Sequence, residues 1–176
     1  MKKSIAFLLL VIFGGLMLNG CESIDKYDRI RVGDSVYLLN NRDELQYISH
    51  TMVKVYLVDG YFHVIGLGKD GIVTKSIDFT SERKSYHADG LYPVTIEDPA
   101  LFLGKTLDEV ENVLGVPVGS VASGPYQPAY VTDDAHLVWF YAYSKEDIEA
   151  IPIVEITIQD IITKRVEIIT SPGYPE

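Results

Sequence analysis

Between Thr51 and Phe79 the chain carries the pattern that most narrows its fold. Val53, Val55 and Leu57 alternate with Met52, Lys54 and Tyr56. A strand turns successive side chains to opposite faces, so this is the spacing of a half-buried β-strand. Asp59-Gly60 follows, and Tyr61 to Leu67 continues in β-branched and aromatic residues. An Asp-Gly pair between two such runs predicts a two-residue hairpin, because a type I′ turn needs positive φ at both central positions. Gly68-Lys69-Asp70-Gly71 predicts a second turn, and Ile72 to Phe79 a third strand with Val73, Ile77 and Phe79 on one face. Residues 51–79 therefore read as an antiparallel meander, which already excludes an all-helical fold.

The segments before the meander are shorter and less regular. Val32-Gly33-Asp34 is a turn signal, and Ser35 to Leu39 reads as a strand. Asn40 to Asp43 is turn chemistry, since Asn and Asp side chains bond their own backbone. Glu44 to His50 reads as a strand, although its spacing also fits a short helix. Beyond the meander, the polar run Thr80 to Gly90 reads as a loop and a seam between two halves. Leu91 to Ile96 reads as one more short strand, ended by Glu97-Asp98-Pro99.

The second half opens on the clearest helix. Thr106 can cap its N-terminus, and Glu109 three residues on completes a capping box. Leu107, Val110, Val113 and Leu114 share one stripe at helical spacing. Gly115 suits the positive φ that ends a helix, and Pro117 prevents continuation. So short a helix needs a sheet to pack on. After a loop from Val118 to Pro128, strands are expected over Ala129–Thr132, Ala135–Tyr143, Ile153–Ile158 and Lys164–Ile169. Asp133-Asp134 and the region of Asp160 supply turns, and Ser144 to Ala150 a polar connection. The fold class is α+β: antiparallel β-meanders with a short helix packed on the C-terminal sheet, an arrangement open to two similar halves.

The N-terminus gives an address. Lys2 and Lys3 precede an apolar run from Ile5 to Leu18, the layout of a secretory signal. A spanning helix needs about 20 apolar residues, more than this run supplies. Leu18-Asn19-Gly20-Cys21 then looks like a bacterial lipobox, with Cys21 as the lipid acceptor. Cys21 is the single cysteine, so it has no internal disulfide partner. Two or more acyl chains make a stable anchor where one is marginal, each buried methylene contributing about 0.8 kcal/mol. The expected organisation is a signal peptide at 1–20, a tether at 21–31, a β-rich half at 32–97, a helix-plus-meander half at 98–170 and a tail at 171–176. Localisation at the cell membrane or outer membrane, facing away from the cytoplasm, follows from that anchor.

Charge narrows the partners. Residues 1–20 hold two lysines and no acid, so the formal charge of −10 becomes −12 without them. A domain this acidic is repelled by phosphate backbones, which argues against nucleic acid. Apolar residues make up 47% of the chain and Tyr occurs 12 times, enough to build a packed core rather than a disordered tail.

Gly104-Lys105-Thr106, Val110, Leu114-Gly115-Val116-Pro117 and the aromatic strand with Trp139-Phe140-Tyr141 together resemble the SmpA/BamE group of small bacterial lipoproteins. The same residues are similar to the repeat of the β-lactamase-inhibitor-protein-like fold. The stretch Ala122 to Asp134 resembles exported proteins of Gram-positive bacteria whose roles are uncharacterised. The likeness covers about residues 101–169 and implies an envelope scaffold or protein-binding module, in which a short helix packs on an antiparallel meander.

Chemistry-bearing motifs are sparse. Asp133, Asp134 and His136 are metal-ligating types, but no second His or Cys cluster completes a coordination sphere. A solvated turn entering a strand explains them better. No Gly-x-Ser-x-Gly is present, and Gly104-Lys105-Thr106 lacks the upstream Gly of a phosphate loop. No cofactor is implied. The strand Ala135–Tyr143 is apolar on both faces: Leu137, Trp139, Tyr141 and Tyr143 on one, His136, Val138, Phe140 and Ala142 on the other. The helix would cover one face, and either the first meander or an external partner the other. In the second case Tyr126, Tyr130, Trp139 and Tyr141 form a binding patch, since Trp and Tyr dominate interface hot spots. Three classes stay open: a non-catalytic envelope module that binds protein, a surface receptor or inhibitor for a small ligand or enzyme, and an enzyme without a local signature.

The lipobox makes a direct prediction. Metabolic labelling with a fatty-acid probe should mark the wild-type chain and fail on Cys21→Ser. A labelled mutant would overturn Cys21 as the lipid acceptor.

Overall fold

The computed structural model describes residues 30–39, 46–123, 125–142 and 151–173. Cys21, the signal-like segment, most of the tether, the Asn40–Asp43 turn, the 143–150 connection and residues 174–176 lie outside them. The described chain is mostly antiparallel β-sheet. Strands β1 (Gln46–Ser49), β2 (Val53–Val58), β3 (Tyr61–Leu67), β4 (Val73–Thr80) and β5 (Ser85–Asp89) form one sheet in that order. Strands β6 (Gly119–Ser120), β7 (Pro128–Val131), β8 (His136–Ala142), β9 (Ile153–Asp160) and β10 (Val166–Thr170) form the other, ordered β10-β9-β8-β7-β6. Both are simple meanders, so every pairing is between chain neighbours.

The central hairpin forms as its turn chemistry dictates. Asp59 and Gly60 both take positive φ, +49° and +84°, which twists β2 and β3 into register. The inner faces of the two sheets then share one core. Val53, Val55, Phe62, Val64, Ile77 and Phe79 from the first meet Ala129, Val131 and Leu137 from the second. Each large apolar side chain buried there contributes about 1.5–3 kcal/mol.

The outer faces are covered too. A helical turn α1 (Val36–Leu39) and Ile30 close over Tyr56, Val58, Ile65, Leu67 and Val73. Helix α2 (Leu107–Leu114), preceded by a 3-10 turn at Pro99–Phe102, closes over Tyr130, Val138, Phe140 and Ile156. That explains why β8 is apolar on both sides: Val138 and Phe140 face the helix, while Leu137 and Trp139 face the first sheet. Of the two covers open in the sequence for the Trp139 face, the meander is the one present.

Two of the expected elements change type. Ser35–Leu39 is not a strand but a single bridge from Ser35 to Ile72 followed by α1. So short an apolar run fits either period, and the hydrogen bond of Val36 N–H to Gly71 O (2.8 Å) bends it over the sheet. The loop expected at Thr80–Gly90 contains β5. It is an edge strand in which Ala88 turns to the core while Ser85, His87 and Asp89 are exposed, so it lacks apolar alternation. Leu91–Ile96 forms one parallel bridge, Val94 to Thr132, rather than a strand.

Two expected faces change as well. Val73 does not share a face with Ile77 and Phe79: the register shift opposite Gly66/Leu67 sends it to the outer cluster. Val113 leaves the helix stripe and is 69% exposed. The capping box itself is present, with Glu109 N–H donating to Thr106 Oγ1 (3.2 Å) and Thr106 N–H to Glu109 Oε2 (2.8 Å).

The sheets meet closely at Gly66. A Cβ there would stand 2.0 Å from the Val118 carbonyl oxygen. Beside it, Met52 N–H donates to Ser120 O (3.0 Å), Leu67 N–H to Met52 O (2.8 Å), and Lys75 Nζ reaches Pro117 O. Burial lowers the pKa of that Lys75 ammonium. Gly66→Ala should therefore push the sheets apart and lower stability by about 1–3 kcal/mol, the range for overpacking. Denaturant unfolding measures it, and an unchanged midpoint would mean that the sheets do not touch at this point.

Candidate functional site

Alternation along β7 and β8 decides where the four aromatic candidates lie. Ala129 is registered opposite Trp139 and Tyr130 opposite Val138, so Tyr130 and Trp139 occupy opposite faces of their sheet. Tyr130 is 1% exposed, packed edge-on to Phe140, and its hydroxyl donates to Gly115 O (3.1 Å). Trp139 packs on the inter-sheet core with its ring 5.0 Å from that of His50. Tyr141 is half-buried, registered opposite Glu155. Tyr126 stands apart from β8, 51% exposed, its hydroxyl donating to Glu111 Oε1 (3.1 Å). The structure thus brings Tyr126 and Tyr130 together at α2 and leaves Trp139 and Tyr141 on the other side. Burial first, then the Glu111 carboxylate, pushes the Tyr126 phenol up to about 12. Burial, with the Glu111 charge second, raises Tyr130 as well.

A groove of about 400 Å3 runs along the start of α2, lined by Thr106, Leu107, Asp108, Pro125, Tyr126, Ala142 and Ile151. Backbone pairing builds it. Gly104 N–H donates to Ile153 O (2.9 Å) and Ile153 N–H to Lys105 O (2.7 Å), which holds the helix entry against the start of β9. The capping box then fixes the first turn. Leu101, Val113, Val116, Tyr126 and Ile151 are all large apolar residues left exposed on or around α2. The helix carries Asp108, Glu109 and Glu111 and no Lys or Arg. Glu109 is held below the usual carboxylate range, chiefly by the Thr106 N–H. Sequence reasoning found Tyr126 but missed Ile151, whose place beside the helix depends on the β9 pairing.

A smaller concavity, about 210 Å3, lies at the ends of β8, β9 and β10, with His136, Ile158, Asp160, Arg165, Val166 and Glu167 around it. Its central acid is already engaged. Asp160 accepts from Arg83 Nη2 (2.5 Å), Ile162 N–H (2.9 Å) and Thr163 N–H (3.0 Å), while Arg83 Nη1 also donates to Asp134 O (2.8 Å). Arg83 belongs to the β4–β5 turn, so it clamps the first sheet to the second. Burial works against the Asp160 charge, but bonds from Thr163, Arg83 and Ile162 outweigh it and hold the carboxyl well below its ordinary value. His136 Nδ1 lies 3.0 Å from Asp134, whereas Asp133 accepts from Thr95 Oγ1 (2.7 Å). The three metal-type residues therefore do not converge. Among the described residues no group of three His, Cys, Asp or Glu side chains is placed to hold a metal ion.

A third polar feature went unseen in the sequence. His63 and Asp78 are cross-strand partners on the outer face of the first sheet, with Nδ1 and Oδ1 2.6 Å apart and both side chains buried. A bulge lies between this pair and the 68–71 turn, so counting back from the turn misplaces them. No protein-family model, curated protein or solved structure matches this chain.

The Arg83–Asp160 clamp predicts an acid limb in stability. Because the folded pKa of Asp160 is depressed, its contribution is complete above the ordinary carboxylate value near about 4 and is lost as pH falls further. Asp160→Asn should cost about 1.5 kcal/mol at pH 7, the lower end for a bond to a charged group, since Arg83 is 36% exposed. It should also flatten the loss between about pH 4 and pH 2. Parallel wild-type and mutant midpoints across that window would contradict the clamp.

Proposed function

We propose that this chain is a lipid-anchored envelope protein that acts as a non-catalytic protein-binding module, with the α2 groove as its binding surface. Cys21 carries the lipid, and the tether leads to Ile30. The observation that carries the reading is the groove in which exposed Tyr126 and Ile151 stand with Leu107 and Pro125 beside the helix entry. Monomeric domains rarely leave large apolar side chains grouped unless something docks on them. The arrangement of layers favours the same surface. Ile30 packs on the outer face of the first sheet and α2 on the outer face of the second, so the groove lies on the layer farthest from the tether. Nine residues from Cys21 to Ile30 reach at most about 32 Å, which keeps the domain near its bilayer. We also read the two meanders as similar halves, since each is a five-stranded antiparallel sheet with a helical segment on its outer face.

A photo-crosslinking residue at Tyr126, in the full anchored chain in its membrane, tests the reading. A discrete crosslinked protein is expected there and not from Tyr37, which is 71% exposed on the opposite layer. Ile151→Glu, which puts a charge into the exposed groove wall, should abolish it. No product at Tyr126, or the same product from Tyr37, would overturn the assignment of this groove.

A further inference from the structure

The chemistry of the groove restricts what can lie in it. Its walls are apolar on three sides, from Leu107, Pro125 with Tyr126, and Ala142 with Ile151. Its volume, about 400 Å3, sits at the low end of the roughly 300–1,000 Å3 typical of small-molecule pockets, enough for a few side chains. Among the described residues that line it, the charge has one sign. Asp108 lines it, and Glu111 stands behind the Tyr126 hydroxyl. From Lys105 to Leu114 the chain holds three acids and one base, within a protein of formal charge −10.

The carboxylates of Asp108, Glu109 and Glu111 disfavour an anion here. The N–H groups of Thr106 and Glu109 are both spent inside the capping box. Anionic lipid headgroups are repelled for the same reason. Asp108, by contrast, makes no hydrogen bond or ion pair among the described residues, and its carboxylate is exposed at the mouth of an apolar slot.

Resting on the docking role proposed above, we infer that the groove takes a cationic amphipathic peptide segment of a partner protein. A large apolar side chain would sit between Tyr126, Leu107 and Ile151, and a neighbouring Lys or Arg would lie against Asp108. The apolar contact supplies most of the affinity. The charge pair supplies selectivity and salt dependence, as rim charges do at other interfaces.

Three dye-labelled peptides test this on the full, lipid-bearing chain in neutral detergent, read by fluorescence anisotropy. They share the same Leu and Phe positions and place Lys, Gln or Glu at every other site. The Lys peptide should bind tightest and weaken several-fold between 0.05 and 0.5 M NaCl, over which the screening length shrinks to about a third. Asp108→Lys should weaken it by about fivefold or more. Tyr126→Ala should weaken all three peptides. Glu82→Lys makes the same change in net charge in the β4–β5 turn, where Glu82 is exposed beside Lys84, and should have little effect.

Equal binding of the Lys and Gln peptides would overturn the cationic preference while leaving docking intact. Equal weakening by Glu82→Lys and Asp108→Lys would reduce the effect to bulk charge and overturn the site. Tighter binding of the Glu peptide, or no binding of any, would overturn the inference outright. Crosslinking from Tyr126 then reports separately on whether the groove docks a partner. Sedimentation of the same samples reads self-association. A dimer dissolved by Tyr126→Ala would assign the groove to a second copy of this chain and overturn the peptide assignment.

Discussion

The two sheets share a core because no side chain stands at position 66. The Val118 carbonyl occupies the space a Cβ would need, and that contact sets how closely one meander lies on the other. Everything near it follows. Met52 can donate to Ser120, and Lys75 can reach Pro117, only at this separation. Pro117 and Val118 follow two and three residues after the Gly115 that ends α2, so the same seam fixes the C-terminal end of the helix. Tyr130 then bonds Gly115 O from below, and Tyr126 bonds Glu111 from the side. The groove is thus held by the seam at one end and by the pairing of Lys105 with Ile153 at the other. At the far edge of the sandwich the same task falls to Arg83 and Asp160, and to Tyr47, whose hydroxyl donates to Ile162 O while Lys164 lies 3.7 Å over its ring.

Local chemistry was legible in the sequence where one or two residues decide a conformation. Asp59-Gly60 and the Thr106–Glu109 box both stand where their residue types put them. Elements whose identity depends on what covers them were not. Val36 is apolar in either a strand or a helical turn, and only the hydrogen bond to Gly71 selects the turn. β5 escaped because an edge strand keeps its exposed residues polar, and a single inward Ala88 leaves no period to detect. Val73 illustrates a third case. Perfect alternation put it with Ile77, but one extra residue in β4 reverses the faces beyond it, and a bulge has no strong residue signature.

The site was less legible than the fold for a related reason. Chain proximity grouped Tyr126, Tyr130, Trp139 and Tyr141, yet a surface is grouped by face. The pairing of Ala129 with Trp139 puts Tyr130 under the helix and Trp139 between the sheets, a distinction set by strand register rather than by composition. Val113 carried information of the opposite kind. It belongs to an apolar helix stripe by spacing, but of that stripe only Leu107, Val110 and Leu114 pack on the sheet beneath α2. The residue left over is part of what makes the helix surface apolar.

The acids on α2 are not equivalent, and their differences explain why the groove carries a directed charge rather than a diffuse one. Glu109 is folded back on the Thr106 N–H, where it stabilises the helix start and offsets the positive end of the helix dipole. Glu111 is turned toward the Tyr126 hydroxyl and orients that ring along the groove wall. Asp108, between them in sequence, points to neither task. Two carboxylates are thus committed to shaping the site, and the third is left at its mouth with its hydration intact. A hydrated carboxylate contributes little to stability, but it costs little to keep and discriminates against any ligand that brings a second negative charge. On the docking role proposed above, selectivity in such a groove would come from that one uncommitted group, and affinity from the apolar walls that the seam and the β9 pairing hold apart.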